Sequence, residues 1–192
     1  MNYLAHLFLA KSDAESLIGN LAGDFVKGRI SESLAPGIAD GIRHHRRVDA
    51  FTDSHPSVAA FRRVLIPEHG HYARVIADVF FDHFLATDFD RYASESLDTF
   101  LTRTYASIDP HTDALPGNLR LVYPRMRDEG WLPSYRSIDG IGQALRGISY
   151  RLSRRPNLAT ATQFLSDPQM RDELARLFHE FFPDVIAISR GS

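Results

Sequence analysis

The chain predicts an all-α fold, and three features carry the prediction. Apolar residues recur at helical spacing along nearly the whole length, the alternation expected of strands hardly appears, and Pro, Gly and Asx signals fall where helices would start and stop. At 192 residues the chain suits one domain rather than two, since independent domains usually need about 100 residues each. No internal repeat, low-complexity tract or linker divides it. We therefore expect a single compact helical domain over residues 1–192.

After an apolar opening segment, Ser12 or Asp13 caps a helix that should run to about Lys27, where Gly28 stops it. A second helix begins after Pro36 and extends to about Asp53. Ser54-His-Pro56 breaks it, because a residue before proline avoids helical angles, and Pro56 suits the first turn of the next helix, Ser57 to Leu65. A long helix should follow Pro67 and reach about Ala86, with Val75, Ile76, Val79, Phe80, Phe84 and Leu85 on its apolar side. Further helices are expected at about Tyr92–Ser107, Leu115–Glu129 with a kink at Pro124, Ile138–Arg154 and Pro168–Phe182. Asp109–Asp113 and Ser153–Asn157 read as turns. Phe80, Phe81, Phe84, Phe178, Phe181 and Phe182 read as core.

Composition narrows the chemistry. With 44% hydrophobic residues and a net charge of -2, the chain has the make-up of a globular protein rather than a disordered or fibrous one. Cys is absent, which excludes disulfides, thiolate zinc sites and cysteine nucleophiles, so a metal here must be held by nitrogen and oxygen. The opening apolar run lacks a basic n-region, contains His6 and is too short to cross a bilayer, so a cytoplasmic protein without a membrane partner is expected. Arginine gathers at Arg43, Arg46, Arg47, Arg62 and Arg63, and again at Arg146, Arg151, Arg154 and Arg155. That suits a partner carrying phosphate or carboxylate but is too dilute for nucleic acid. Walker, dinucleotide-binding and nucleophile-elbow patterns are all missing.

The most informative stretch runs from Gly41 to Asp53, because a helix there stacks His45, Asp49 and Asp53 at four-residue spacing. Residues so spaced lie about 5–6 Å apart at Cβ, close enough for an imidazole and carboxylates to converge on one cation. The competing reading is a solvated face paired with Arg46 and Arg47. A second polar run, Asp78-Val-Phe-Phe-Asp-His83, lies within an apolar helix, where an ionised carboxylate needs an arginine or a metal as partner. His83 is then a ligand, a donor orienting Asp82, or a satisfied core histidine. Asp24 follows an apolar turn. A sulfur-free, carboxylate-rich set favours Mn2+ first, with Mg2+ or Fe2+ next.

Several ordered motifs together resemble the acyl carrier protein phosphodiesterase family: Met1-Asn-Tyr-Leu-Ala-His6, Gly19-Asn-Leu-Ala-Gly-Asp24-Phe-Val-Lys-Gly28, His45-Arg-Arg-Val-Asp49 with Thr52-Asp53, Asp78-Val-Phe-Phe-Asp-His-Phe-Leu85 and Ser153-Arg-Arg-Pro156. The resemblance covers most of the chain. It implies a variant of the helical HD-domain fold, although the second doublet reads Asp-His rather than His-Asp. It also implies hydrolysis of holo-acyl carrier protein to apo-protein and 4'-phosphopantetheine, with a divalent cation, usually Mn2+. On this reading Asp24, His45, Asp49, Asp78 and Asp82 supply the metal ligands, with Asp24, His45 and Asp82 foremost, and His83 or His44 protonates the leaving oxygen. His6 is equally a structural histidine or a member of the site.

Acyl carrier proteins are acidic, so the resemblance also implies a basic docking face, for which Lys27, Arg43, Arg46, Arg47, Arg154 and Arg155 are the candidates, with internal salt bridges as the competing role. Trp131 reads first as a packed loop anchor and second as a wall for the pantetheine arm. Two other functions fit the residues alone: an HD-like phosphohydrolase acting on a nucleotide or other small phosphoester, and a non-enzymatic helical binding module. The sequence leaves the oligomeric state open.

Overall fold

The computed structural model describes residues 1–191, and among them there is no strand. The helices are α1 (Tyr3–Leu9), α2 (Ala14–Ala22), α3 (Pro36–Ser54), α4 (Pro56–His69), α5 (Ala73–Thr87), α6 (Leu97–Ile108), α7 (Leu119–Asp128), α8 (Trp131–Ser134), α9 (Ile138–Arg151), α10 (Thr162–Ser166) and α11 (Pro168–Arg190). Short 3-10 turns occupy Gly70–Tyr72, Phe89–Arg91, Asp109–Ala114 and Leu158–Ala161.

At the centre lies α5, buried on nearly every side from Ile76 to Ala86, as befits a helix that is apolar all round. It packs against α1, α4, α9 and α11. The expected phenylalanines are its glue: Phe81 lies 4.7 Å from Phe181 and Phe84 5.8 Å from Phe178, so α11 is bound along one flank by aromatic pairs.

The opening segment proves to be a helix, although a helix of seven residues is unstable alone. Asn2 makes no capping bond. The cap comes from α5 instead: the Asp82 carboxylate accepts from the Leu4 N–H at 2.8 Å and the Ala5 N–H at 2.9 Å. Two buried donors and the positive end of α1 are satisfied by one side chain far away in sequence.

α2 and α3 run side by side in the same direction, with Glu15 beside Gly37 and Gly23 beside His45, and approach as closely as backbones allow. A Cβ on Gly19 would stand 2.4 Å from the Ile38 carbonyl oxygen and one on Gly41 2.8 Å from the Gly19 Cα, so only glycine fits at this crossing. Glu15 of α2 accepts from the Gly37 N–H at 2.8 Å and caps α3.

Several boundaries differ from expectation, for identifiable reasons. α2 ends at Ala22 rather than Lys27, because residues 23–26 turn and bond back to the Ala22 carbonyl, with Arg46 holding Val26 O at 2.7 Å. Pro67 does not separate two helices; α4 runs through it and stops at Gly70, whose φ of 52° few other residues adopt. α11 likewise passes Pro183 and reaches Arg190. Pro67, Pro124 and Pro183 all lie on exposed sides, where water can serve the carbonyls left without an N–H donor. α7 begins four residues later than expected, and α9 stops at Arg151. No described helix is long and apolar enough to cross a membrane.

Candidate metal centre

Three helices meet where α1, the end of α2 and the middle of α3 converge. α3 contributes His45 and Asp49 from one face, one turn apart, and α1 contributes His6. Ligand atoms of His6, His45 and Asp49 all lie within 4.8 Å of one another. The two imidazoles stack at 3.6 Å with 17° between planes, and each Nε2 lies 3.2 Å from an Asp49 oxygen, His6 from Oδ1 and His45 from Oδ2.

The environment of His45 decides what this cluster can hold. Its Nδ1 lies 2.8 Å from the Asn20 carbonyl oxygen, which can only accept, so Nδ1 carries the proton. In neutral His45 the Nε2 lone pair therefore points at a carboxylate, a contact that is repulsive unless a cation stands between them. Gly23 makes the ring position accessible, since a Cβ there would fall 2.2 Å from the ring. The turn after Gly23 brings Asp24 to 3.8 Å from His45 Nε2, on the exposed rim.

His6 supplies the second indication. It is 1% exposed, yet neither ring nitrogen has a hydrogen-bond partner, its approach to Asp49 being off-line. A buried unsatisfied polar group costs about 1–3 kcal/mol, which a ligated ion would recover. Burial, and then the neighbouring His45, lowers the pKa of His6 to about 4, so it presents a neutral ring. Burial drives Asp49 upward, but His45, His6 and the Met1 ammonium outweigh it and hold the carboxyl well below the usual range. The cluster thus offers the neutral His6 ring, the Nε2 of His45 and a firmly ionised carboxylate, a donor set suited to a borderline or hard divalent cation.

Asp78 borders the cluster without belonging to it. The buried Met1 ammonium lies 3.0 Å from Asp49 and 3.3 Å from Asp78, and although burial lowers its pKa, the two carboxylates prevail and raise it to about 11. Burial pushes Asp78 upward, with the ammonium opposing. Arg62 completes this side, 2.7 Å from Asp53 and 4.0 Å from Asp78. Asp53, at the end of the predicted stripe, is held by Arg62 and Arg74 rather than facing His45.

Other expected site residues are placed elsewhere. Both oxygens of Asp82 are engaged in capping α1; burial raises its pKa to about 7 against the pull of those two N–H donors. His83 donates Nδ1–H to the Tyr135 carbonyl at 2.7 Å, and His44 bonds Asn20 Oδ1 at 2.8 Å and Ser189 Oγ at 2.9 Å. Neither imidazole joins the cluster. Among the basic candidates, Lys27 extends beside Asp24 at 4.0 Å, Arg43 pairs with Asp40, and Arg46 is spent on Val26 O. Arg47, Arg154 and Arg155 are exposed, and among the described residues none of them forms an ion pair. His6 was legible only as an ambiguous histidine in an apolar run, and Arg62 only as one of an arginine pair; partners from α3 and α5 give them their place.

Comparison with known proteins adds an independent line. Residues 1–185 match the model of the family described as acyl carrier protein phosphodiesterase. A protein of that name from Serratia proteamaculans is 37% identical over 188 residues, covering 97% of this chain and 96% of the relative. Namesakes from Yersinia enterocolitica and Escherichia coli are 35% and 33% identical over 189 residues each, again covering 97% of this chain and 96% of the relatives. No solved structure matches.

Proposed function

Since the chain belongs to the acyl carrier protein phosphodiesterase family, we propose that it hydrolyses holo-acyl carrier protein to apo-carrier and 4'-phosphopantetheine at the His6, His45 and Asp49 cluster. One observation above all supports placing the chemistry there: two buried imidazoles converge on an ionised carboxylate, with an Nε2 lone pair facing that carboxylate and neither His6 nitrogen bonded. Mn2+ is the ion we favour, with Fe2+ next; two imidazoles per carboxylate move the set away from Mg2+, which prefers oxygen. Asp24 is the further carboxylate in reach.

When bound, such a cation supplies Lewis acidity, lowering the pKa of a water and neutralising charge on a phosphoryl oxygen. The chain's own residues do the rest. The Asn20 carbonyl fixes the His45 tautomer so that Nε2 faces inward. Asp49 is kept ionised and in place by the Met1 ammonium, which donates to its Oδ1 at 3.0 Å. Lys27, on the rim beside Asp24, can screen a phosphoryl oxygen from the solvent side. Protonation of the departing serine oxygen is not assigned to His44 or His83, whose ring contacts lie elsewhere. Arg47, Arg154 and Arg155 remain the candidates for docking an acidic carrier, and a cytoplasmic location belongs to the same reading.

Incubation of Mn2+-loaded protein with holo-carrier tests it. Mass spectrometry should show the carrier losing phosphopantetheine, with the free phosphorylated arm as co-product. Folded, metal-loaded protein that leaves every holo-carrier intact overturns the reading, and turnover confined to nucleotides favours a small-phosphoester hydrolase instead.

A further inference from the structure

Beside the cluster lies a groove of about 460 Å³, walled by α7, α8 and α9 and including Asn2 and Tyr3 from the start of α1. That volume is within the range of small-molecule sites. The groove and the cluster share α1: Met1 pairs with Asp49, Tyr3 lines the groove, and His6 lies one turn further on. Tyr3 also stacks at 6.3 Å on Phe25, the residue that follows Asp24. A ligand whose phosphate reached the cluster would find the groove as the continuation of its path.

We propose that this groove receives the pantetheine arm of the carrier, an inference that rests on the function proposed above. Its lining fits a flexible, neutral chain of secondary amides. Val122, Trp131 and Ile148 offer apolar wall, while Asn2, Ser134 and Gln143 offer amide and hydroxyl groups that can pair with amides of the arm. Two contacts fix the Trp131 ring: its Nε1–H donates to Glu129 at 2.8 Å, and Arg125 lies over its ring at 5.9 Å. Tyr150, 73% exposed, stands at the rim.

Gly147 gives a direct test. It lines the groove from α9, and a Cβ added there meets nothing within 4 Å, so a larger side chain enters open space instead of displacing neighbours. Replacing a mid-helix glycine also favours the helix, which keeps these variants folded. We expect kcat/KM on holo-carrier to fall in the order Gly147→Ala, Gly147→Leu, Gly147→Phe, by about tenfold or more for Phe. Binding of D-pantetheine, followed by NMR line broadening, should weaken in the same order. Wild-type kcat/KM or wild-type pantetheine binding in Gly147→Phe overturns the groove assignment, as does adenosine displacing pantetheine from it. Wild-type protein that fails to hydrolyse holo-carrier overturns the function itself, a result separate from the groove variants.

Discussion

Replacing Gly23 with alanine should damage the cluster without breaking the fold. The residue has φ of -52° and ψ of -40°, ordinary helical angles that alanine accepts. The added methyl would stand 2.2, 2.3 and 2.5 Å from Cγ, Cδ2 and Nδ1 of His45, far inside van der Waals contact. The imidazole has little room to yield, being 3% exposed, stacked on His6 and bonded to the Asn20 carbonyl. Overpacking of this kind costs about 1–3 kcal/mol, and the better helix propensity of alanine returns up to about 1 kcal/mol, so stability should drop by no more than about 3 kcal/mol. Function should suffer more. Mispositioning a ligand typically costs about 10–100-fold in metal affinity or activity. Urea denaturation, Mn2+ titration by calorimetry and kcat/KM on holo-carrier give the three numbers. If Gly23→Ala keeps wild-type affinity for Mn2+ and wild-type turnover, His45 is not the ligand we take it to be.

Asp82→Ala should destabilise the protein by about 1–3 kcal/mol, because the Leu4 and Ala5 N–H groups lose their acceptor, while Mn2+ affinity changes little; a stable variant that cannot bind metal would make Asp82 a ligand after all. In the metal-free protein, His6 has a folded pKa of about 4 against 6.5 unfolded, so its neutrality supports folding above pH 6.5 and that support is lost as pH falls toward 4. The effect is roughly 3 kcal/mol at most, and urea midpoints from pH 7 to 4.5 should fall less steeply in His6→Asn than in the wild type. Chelation should abolish turnover and lower the melting temperature, and Mn2+ should restore both; melting unmoved by either treatment counts against a bound ion. Arg154→Ala should weaken carrier binding most at low salt, whereas Arg46→Ala should cost stability instead, since its guanidinium holds the Val26 carbonyl; titrations at two ionic strengths and a melt separate the two.

Much of the fold was legible in local chemistry. Proline at Pro36, Pro56 and Pro168 and the caps at Asp13, Ser137 and Asp167 act within one turn, so the sequence placed the starts of α2, α3, α4, α9 and α11 nearly where they occur. The all-round apolar run of α5 announced the centre of the core. Helix ends were less legible, because a proline stops a helix only where the lost hydrogen bond matters. At Pro67 and Pro183, on exposed sides, it does not.

For the candidate site, sequence alone determined the residue types and the four-residue step that puts His45 and Asp49 on one face of α3. Which imidazole joins them was settled in three dimensions. His6, His44 and His83 look alike as letters, but only His6, from α1, stacks on the His45 ring, while His83 faces the Tyr135 carbonyl. The same holds for the carboxylates. Asp82 belongs to the same polar run as Asp78, yet it is consumed in capping α1, because the N–H groups of that short helix need an acceptor that nothing nearby in the chain supplies. Spacing fixes what one helix can present, whereas the demands of buried partners on other helices fix what each group does.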